Sequence, residues 1–293
     1  MALDDPRASR RPRRSAELAL SAALDDGQLD RASVAFQNLT RLGLDSWWMR
    51  NVSDYLEWCG YPSSGLTPRP GGSTQFEQLV RGTRVALVGP SPAVEDQGDE
   101  IESHDLIARI SVRSSSDVPP DGWCGRRTNI SYWNMAKTAA VVPRKPQIGD
   151  GSPDWIVLKG TAPPEGATGM RSAVAPRGLS WAGDQLMIPL AVFDLIVAGA
   201  AVVKVYNTTF YASDQAYDTN YWRVDGSAGA EWKIRQLRGF ARHDLLDGIH
   251  FMKALWRAGK VELDRATQAV IGLEDERFAR SIDRLFPSSL LKE

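Results

Sequence analysis

A chain of 293 residues with 43% hydrophobic content holds enough apolar material for one sizeable core and a small appendage. Its 35 lysines and arginines stand against 36 aspartates and glutamates, a balance that gives no electrostatic footprint for nucleic acid. Only two cysteines are present, Cys59 and Cys124, and no histidine stands near either in sequence, so both read as buried or inert thiols.

Residues 1–14 contain the one local basic run, Arg7 to Arg14, and read as a disordered tail rather than a binding arm. No apolar stretch follows those arginines, so neither a signal peptide nor an anchor is expected there. Residues 15–62 open with two short amphipathic helices around Asp25-Asp26-Gly27, with Leu18, Leu20, Ala23, Leu29, Ala32, Ala35 and Phe36 facing one another. A single hairpin of this kind cannot form a solenoid and is expected to pack on the main domain. Trp47, Trp48, Tyr55, Trp58 and Tyr61 follow as an aromatic cluster, read as core, with stacking on a sugar ring as the alternative. A Pro/Gly/Ser linker occupies residues 63–73.

From residue 74 to 293 the pattern alternates. Strands are expected near 84–88, 105–110, 128–133, 154–159 and 202–206, and helices near 135–142, 183–198 and 245–258. This predicts an α/β, Rossmann-like fold: a mostly parallel sheet flanked by helices, with a short N-terminal helical segment. Leu186 to Val203 is apolar enough to raise the question of a membrane span. Asp194 at its middle costs about 2.5–3.5 kcal/mol in that setting, and Pro189 and Gly199 divide the run, so it reads as a buried helix and then a strand. Ligands of such sheets bind beyond the carboxyl ends of the strands, which directs attention to the loops after Val88, Ile110, Trp133 and Tyr206.

The first of these loops, Gly89-Pro90-Ser91, has neither the GxxxxGK[ST] of a P-loop nor the GxGxxG of a dinucleotide fold. It opens an ordered series: Gly89, Ser91, Gly98, Ile101, Glu102, His104, Asp105, Arg109, Gly125, Arg127 and Thr128. The series resembles the large sialyl motif of the sialyltransferases, glycosyltransferase family 29. Two asparagines that contact the CMP part of the donor in that family are replaced here by Pro90 and Ser111. The small motif is matched by Ser180-Trp181-Ala182-Gly183 before a helix, whose start is a ready anion site, and by a strand closing in Val205-Tyr206-Asn207 where the family has Val-Tyr-Gly. An ordinary Ser N-cap is the other reading of Ser180. The very small motif is matched by His243, with Gly248 where the family has Glu; Asp247 lies one helical turn from His243. The family's aromatic third motif has its counterpart in Tyr211, Tyr217, Tyr221 and Trp222, without its histidine. A Tyr217 or Tyr221 hydroxyl in that place and plain aromatic packing both stay open.

The resemblance implies a donor site of Gly89, Pro90, Ser91, Arg109, Ser111, Arg127, Thr128, Ser180, Gly183, Asn207, Tyr217 and Tyr221, with His243 as general base oriented by Asp247. His104 reads as a holder of its loop and His250 as a packed residue among Phe251, Leu255 and Trp256. The implied activity is an inverting, metal-independent transfer of sialic acid or a related keto acid from a CMP-sugar to a hydroxyl of a carbohydrate or small-molecule acceptor. It needs no cofactor beyond the CMP-sugar co-substrate, no nucleic acid and no membrane span. Animal members join their large and small motifs by a disulfide and Golgi members carry an anchor; no cysteine stands at either place here, which points to a reduced, bacterial-type cytoplasm. A sugar-nucleotide-binding protein without catalysis, or a transferase using another nucleotide donor in secondary metabolism, are the alternatives.

Overall fold

The computed structural model describes residues 10–63, 74–119, 122–134, 152–160, 162–174, 185–213 and 244–287. Helices α1 (Arg10–Asp25) and α2 (Leu29–Arg41) form the expected hairpin. Their turn reverses at Gly27, whose φ of 66° needs a residue without Cβ, while Gln28 N–H donates back to Ala23 O. Helix α1 begins at Arg10, so residues 10–14, expected in a disordered tail, are helical. Helix α3 (Trp47–Trp58) buries Met49, Val52, Tyr55 and Leu56. The aromatic cluster is core for the most part: Tyr55 stacks on Phe251 at 4.9 Å and Trp58 tilts on Phe193 at 5.3 Å, whereas Trp47 is exposed. The short helix α4 (Gln75–Val80) is started by a reciprocal cap between Thr74 and Glu77.

The sheet is built from β1 (Arg84–Val88), β2 (Leu106–Ile110), β3 (Ile130–Trp133), β4 (Trp155–Leu158), β5 (Met170–Ser172), β6 (Val202–Tyr206) and β7 (Glu262–Leu263). Its order is β5-β4-β3-β2-β1-β6-β7 and every pairing is parallel. Between strands lie α5 (Gly98–Glu102), α6 (Met187–Val197) and α7 (Leu245–Arg257); α8 (Arg265–Ile271) and α9 (Asp275–Leu285) end the described chain. The architecture is therefore the Rossmann-like α/β fold, a parallel sheet flanked by helices with N-terminal helices added. The expected helix at 135–142 lies outside the described residues. Strands β5 and β7 and helices α4, α5 and α8 went unread because each is short; α3 and α9 went unread as helices although each buries one face.

Both faces of the sheet are covered, which is why the strands are continuous apolar runs. Val85, Leu87, Ala108 and Ile110 join one large cluster with the hairpin, α6 and α7. Ala86, Val88, Ile107 and Tyr206 join a smaller one with Ile101 and Cys124. The charge that argued against a membrane span is fully partnered. Asp194 is completely buried and accepts hydrogen bonds from Tyr132 Oη at 2.9 Å, Arg171 Nη1 at 2.8 Å, Arg171 Nη2 at 3.0 Å and Val174 N at 2.6 Å. Burial pushes its carboxyl above the ordinary value, and the Arg171 charge opposes that shift. No described helix is long and apolar enough to cross a membrane.

Strand order locates the crevice. The chain lays β1 to β5 outward in one direction and then returns to place β6 on the other side of β1, so the topological switch falls between β1 and β6.

Candidate functional site

The carboxyl ends of β1 and β6 are laced together by their loops. Gly89 N–H donates to Tyr206 O at 2.8 Å, Ser91 N–H to Asn207 O at 3.2 Å, and the Ser91 and Thr209 hydroxyls lie 3.0 Å apart. Gly89 is required by this approach. A Cβ added there would overlap Thr208 Oγ1 and stand 2.5 Å from Asn207 O.

Beside this junction a cavity of about 60 Å³ opens between the ends of β1 and β2. Its wall includes Gly89, Pro90, Ser91, Arg109, Val118 and Cys124. Arg109 pairs in register with Val88 and shares the face that carries the smaller apolar cluster. Its guanidinium is buried, with Nε donating to Arg127 O at 3.1 Å and Nη2 to Cys124 O at 2.6 Å. Among the described residues no carboxylate pairs with it. Burial pulls its pKa below the ordinary value, partly offset by the adjoining Cys124. A buried cation whose hydrogen bonds go to backbone carbonyls, with the Glu102 carboxylate acting on it only through its field, suits an anionic ligand group at a cavity wall. Asp117, also on the wall, is spent on Arg113, which it grips through both carboxylate oxygens at 2.9 and 2.7 Å.

Backbone strain gathers at the same end. Among the described residues, the non-glycine residues with left-handed φ are Ser111 (58°), Asn207 (49°), Phe210 (47°) and Tyr211 (66°), and all four lie on the loops after β2 and β6. Such conformations persist where the surroundings impose them and concentrate at ligand sites. The imposing contacts are visible. Ser111 N–H donates to Tyr132 O at 2.8 Å, Asn207 N–H to Asp264 Oδ2 at 2.9 Å, and Thr208 N–H to Thr267 Oγ1 at 3.3 Å. Asp264 caps α8 through its other oxygen, accepting from Thr267 N at 2.8 Å. Both backbone groups of Asn207 are thus engaged, yet among the described residues neither Oδ1 nor Nδ2 of its 1%-exposed side chain has a partner. An unmet buried polar group costs about 1–3 kcal/mol.

The remaining expected residues divide. Arg127 braces its own loop: Nη2 donates to Glu102 O at 3.0 Å and to His104 O, and Nε meets Glu102 Oε2 at 3.3 Å. Glu102 in turn accepts from the backbone N–H groups of Arg126 and Arg127. Thr128 is buried with its hydroxyl unpartnered. Neither Arg127 nor Thr128 lines the cavity, and Ser111 and Asn207 adjoin it without lining it. His104 is buried, with Nδ1 3.0 Å from Glu100 O and its ring edge-on to Tyr206, in keeping with a loop holder.

Asp247 sits buried in the first turn of α7, where its N–H donates to the capping Asp244 Oδ1 at 3.1 Å. It does not line the cavity. Gly248 beside it packs closely: a Cβ there would meet Leu186 Cδ1 at 3.1 Å. His250 is not packed among its apolar neighbours as expected. It bridges, Nδ1 lying 2.8 Å from Asp25 O at the hairpin turn and Nε2 2.9 Å from Asp275 Oδ2. His243, Ser180, Gly183, Tyr217 and Tyr221 lie outside the described residues.

A larger open groove, about 420 Å³, runs along the hairpin junction past Cys59, Tyr61, His250 and Lys253. Three of its polar groups are engaged: His250 holds Asp275, and Lys253 donates to Leu273 O at 2.9 Å. Burial pushes the Cys59 thiol up to about 12, so it is unreactive at neutral pH. Size favours this groove, but strain, an unpaired cation and an orphan amide all favour the strand ends. Thr208, Thr209 and Asp264 were missed from the sequence. The polar run Asn207-Thr208-Thr209 after an apolar strand was the available signal for the first two, whereas Asp264 reaches the site only through the fold.

No protein-family model matches this sequence, and no curated protein matches it.

Proposed function

We propose that the chain is a sialyltransferase-like glycosyltransferase that uses a CMP-activated sugar, sialic acid or a related keto acid, as its donor. The observation that supports this most is convergence: Gly89, Pro90, Ser91, Arg109, Ser111 and Asn207, drawn from three separate motif positions, meet at the carboxyl ends of β1, β2 and β6. That is where a doubly wound sheet binds a nucleotide. Arg109 supplies a buried positive charge for the donor's anionic part.

In the reaction, His243 takes the proton of the acceptor hydroxyl as that oxygen bonds to the anomeric carbon. The bond from that carbon to the phosphate oxygen breaks with its electron pair, CMP leaves, and the single displacement inverts the centre. Asp247, four residues on in the sequence and in the first turn of α7, orients the base. A second reading, nucleotide binding without transfer, is favoured by Gly248, which stands where the family has Glu and where an added Cβ would crowd Leu186 Cδ1 at 3.1 Å.

Thermal shift tests the donor. CMP raises the melting temperature more than UMP or AMP at equal concentration, since a native-state ligand stabilises by RT ln(1 + [L]/Kd). A clear shift with another nucleotide and none with CMP would overturn the assignment. Transfer or hydrolysis of a CMP-sugar, unchanged in EDTA, separates catalysis from binding. His243→Ala is expected to cut turnover by roughly 10²–10⁴-fold while leaving CMP affinity in place.

A further inference from the structure

We infer that Asn207 reads the ligand through a flat edge that presents a hydrogen-bond donor beside an acceptor, the kind of edge a pyrimidine base offers. The inference rests on the nucleotide reading of this site.

Asn207 is held from both sides by its backbone, N–H to Asp264 and carbonyl to Ser91, in a left-handed conformation at φ 49°. Glycine would adopt that conformation without Cβ strain and would bring no amide to bury. The chain instead keeps a carboxamide there, 1% exposed, with both polar atoms unpartnered. Among the described residues no group hydrogen-bonds to the side chain. Its backbone carbonyl accepts from Ser91 N–H of the loop that walls the cavity, so the residue adjoins the ligand crevice without lining it.

The two orphan atoms specify the partner. A carboxamide offers one acceptor, Oδ1, and one donor group, Nδ2, on the same carbon. A phosphate or carboxylate presents acceptors only and leaves Oδ1 unmet. A base edge satisfies both atoms together, and so does an acylamido group on the transferred sugar. The base is the assignment made here, and the two sources are told apart by their ligands.

The test uses the full chain as wild type, Asn207→Gly and Asn207→Asp, the last being isosteric and also tolerant of left-handed φ but lacking the donor. Each is melted alone and with CMP, ribose 5-phosphate, and a CMP-sugar bearing an acylamido group. Asn207→Gly alone melts at or above the wild-type temperature, because an unmet amide has been removed. Its CMP affinity falls about five- to hundredfold, the range of one bidentate base contact, and ribose 5-phosphate affinity does not change. Asn207→Asp loses CMP affinity in the same direction. Unchanged CMP affinity with weaker CMP-sugar binding would overturn the base assignment in favour of the acylamido group. A melting temperature several degrees lower for Asn207→Gly, with CMP affinity kept, would make the amide structural and overturn the inference. Failure of the wild type to bind any nucleotide would instead bring down the donor reading, and the inference with it.

Discussion

Asp194 and Asn207 are both buried polar side chains on the same sheet-and-helix framework, and they are treated in opposite ways. Asp194, in the last turn of α6, collects two bonds from Arg171, one from the Tyr132 hydroxyl and one from the Val174 amide, while Arg171 lies over the Phe76 ring at 4.2 Å. Asn207, at the end of β6, has its backbone fixed and its amide left bare. A satisfied buried network ties elements together: here β3, β5 and α6. Single buried atoms of Ser46, Arg50, His104, Thr128 and Tyr206 also lack a partner among the described residues. At Asn207, by contrast, both the donor and the acceptor of one side chain are unmet, beside the switch point where an outside partner would bind.

The largest break in this comparison is Asp194→Ala. It strips Arg171, the Tyr132 hydroxyl and the Val174 amide of their common acceptor and leaves a poorly solvated charge. A loss of about 3–5 kcal/mol in urea unfolding is expected. A cost below about 1 kcal/mol would show that the network does not hold the outer strands.

Gly89→Ala tests the other region. The added methyl overlaps the Thr208 hydroxyl and presses on a backbone carbonyl that cannot swing away. A stability loss of about 1–3 kcal/mol is expected, together with loss of the thermal response to CMP. Retention of both would mean that the β1 and β6 loops are not locked against each other. The smallest stability effect belongs to Asn207→Gly, whose sign is the sharp contrast: removal of Asp194 destabilises the fold, whereas removal of the Asn207 amide does not.

Much of the framework was legible in the sequence because buried parallel strands are written as unbroken apolar runs. Arg84–Val88 and Val202–Tyr206 were read at the observed boundaries, and α6 and α7 were found close to theirs. The hairpin was legible from its apolar spacing, although α1 starts earlier than composition suggested, since a basic run does not by itself prevent a helix. His250 was misread because its two partners, Asp25 and Asp275, are distant in the chain.

At the site, the sequence determined the residue types and their order: a glycine at the end of the first strand, an arginine on the second, an asparagine closing the sixth. It determined these because local chemistry, such as a strand ending at glycine or an apolar run broken by a charge, is encoded in neighbours. Tertiary structure alone decided what each does. Arg109 became a buried cation with no carboxylate in salt-bridge reach among the described residues, Arg127 a brace for its own loop, and Asp194 the hub of a core network. Asn207 became an amide without a partner. Whether a polar group is satisfied depends on which distant atoms the fold brings within hydrogen-bond reach, and that is a property of three dimensions.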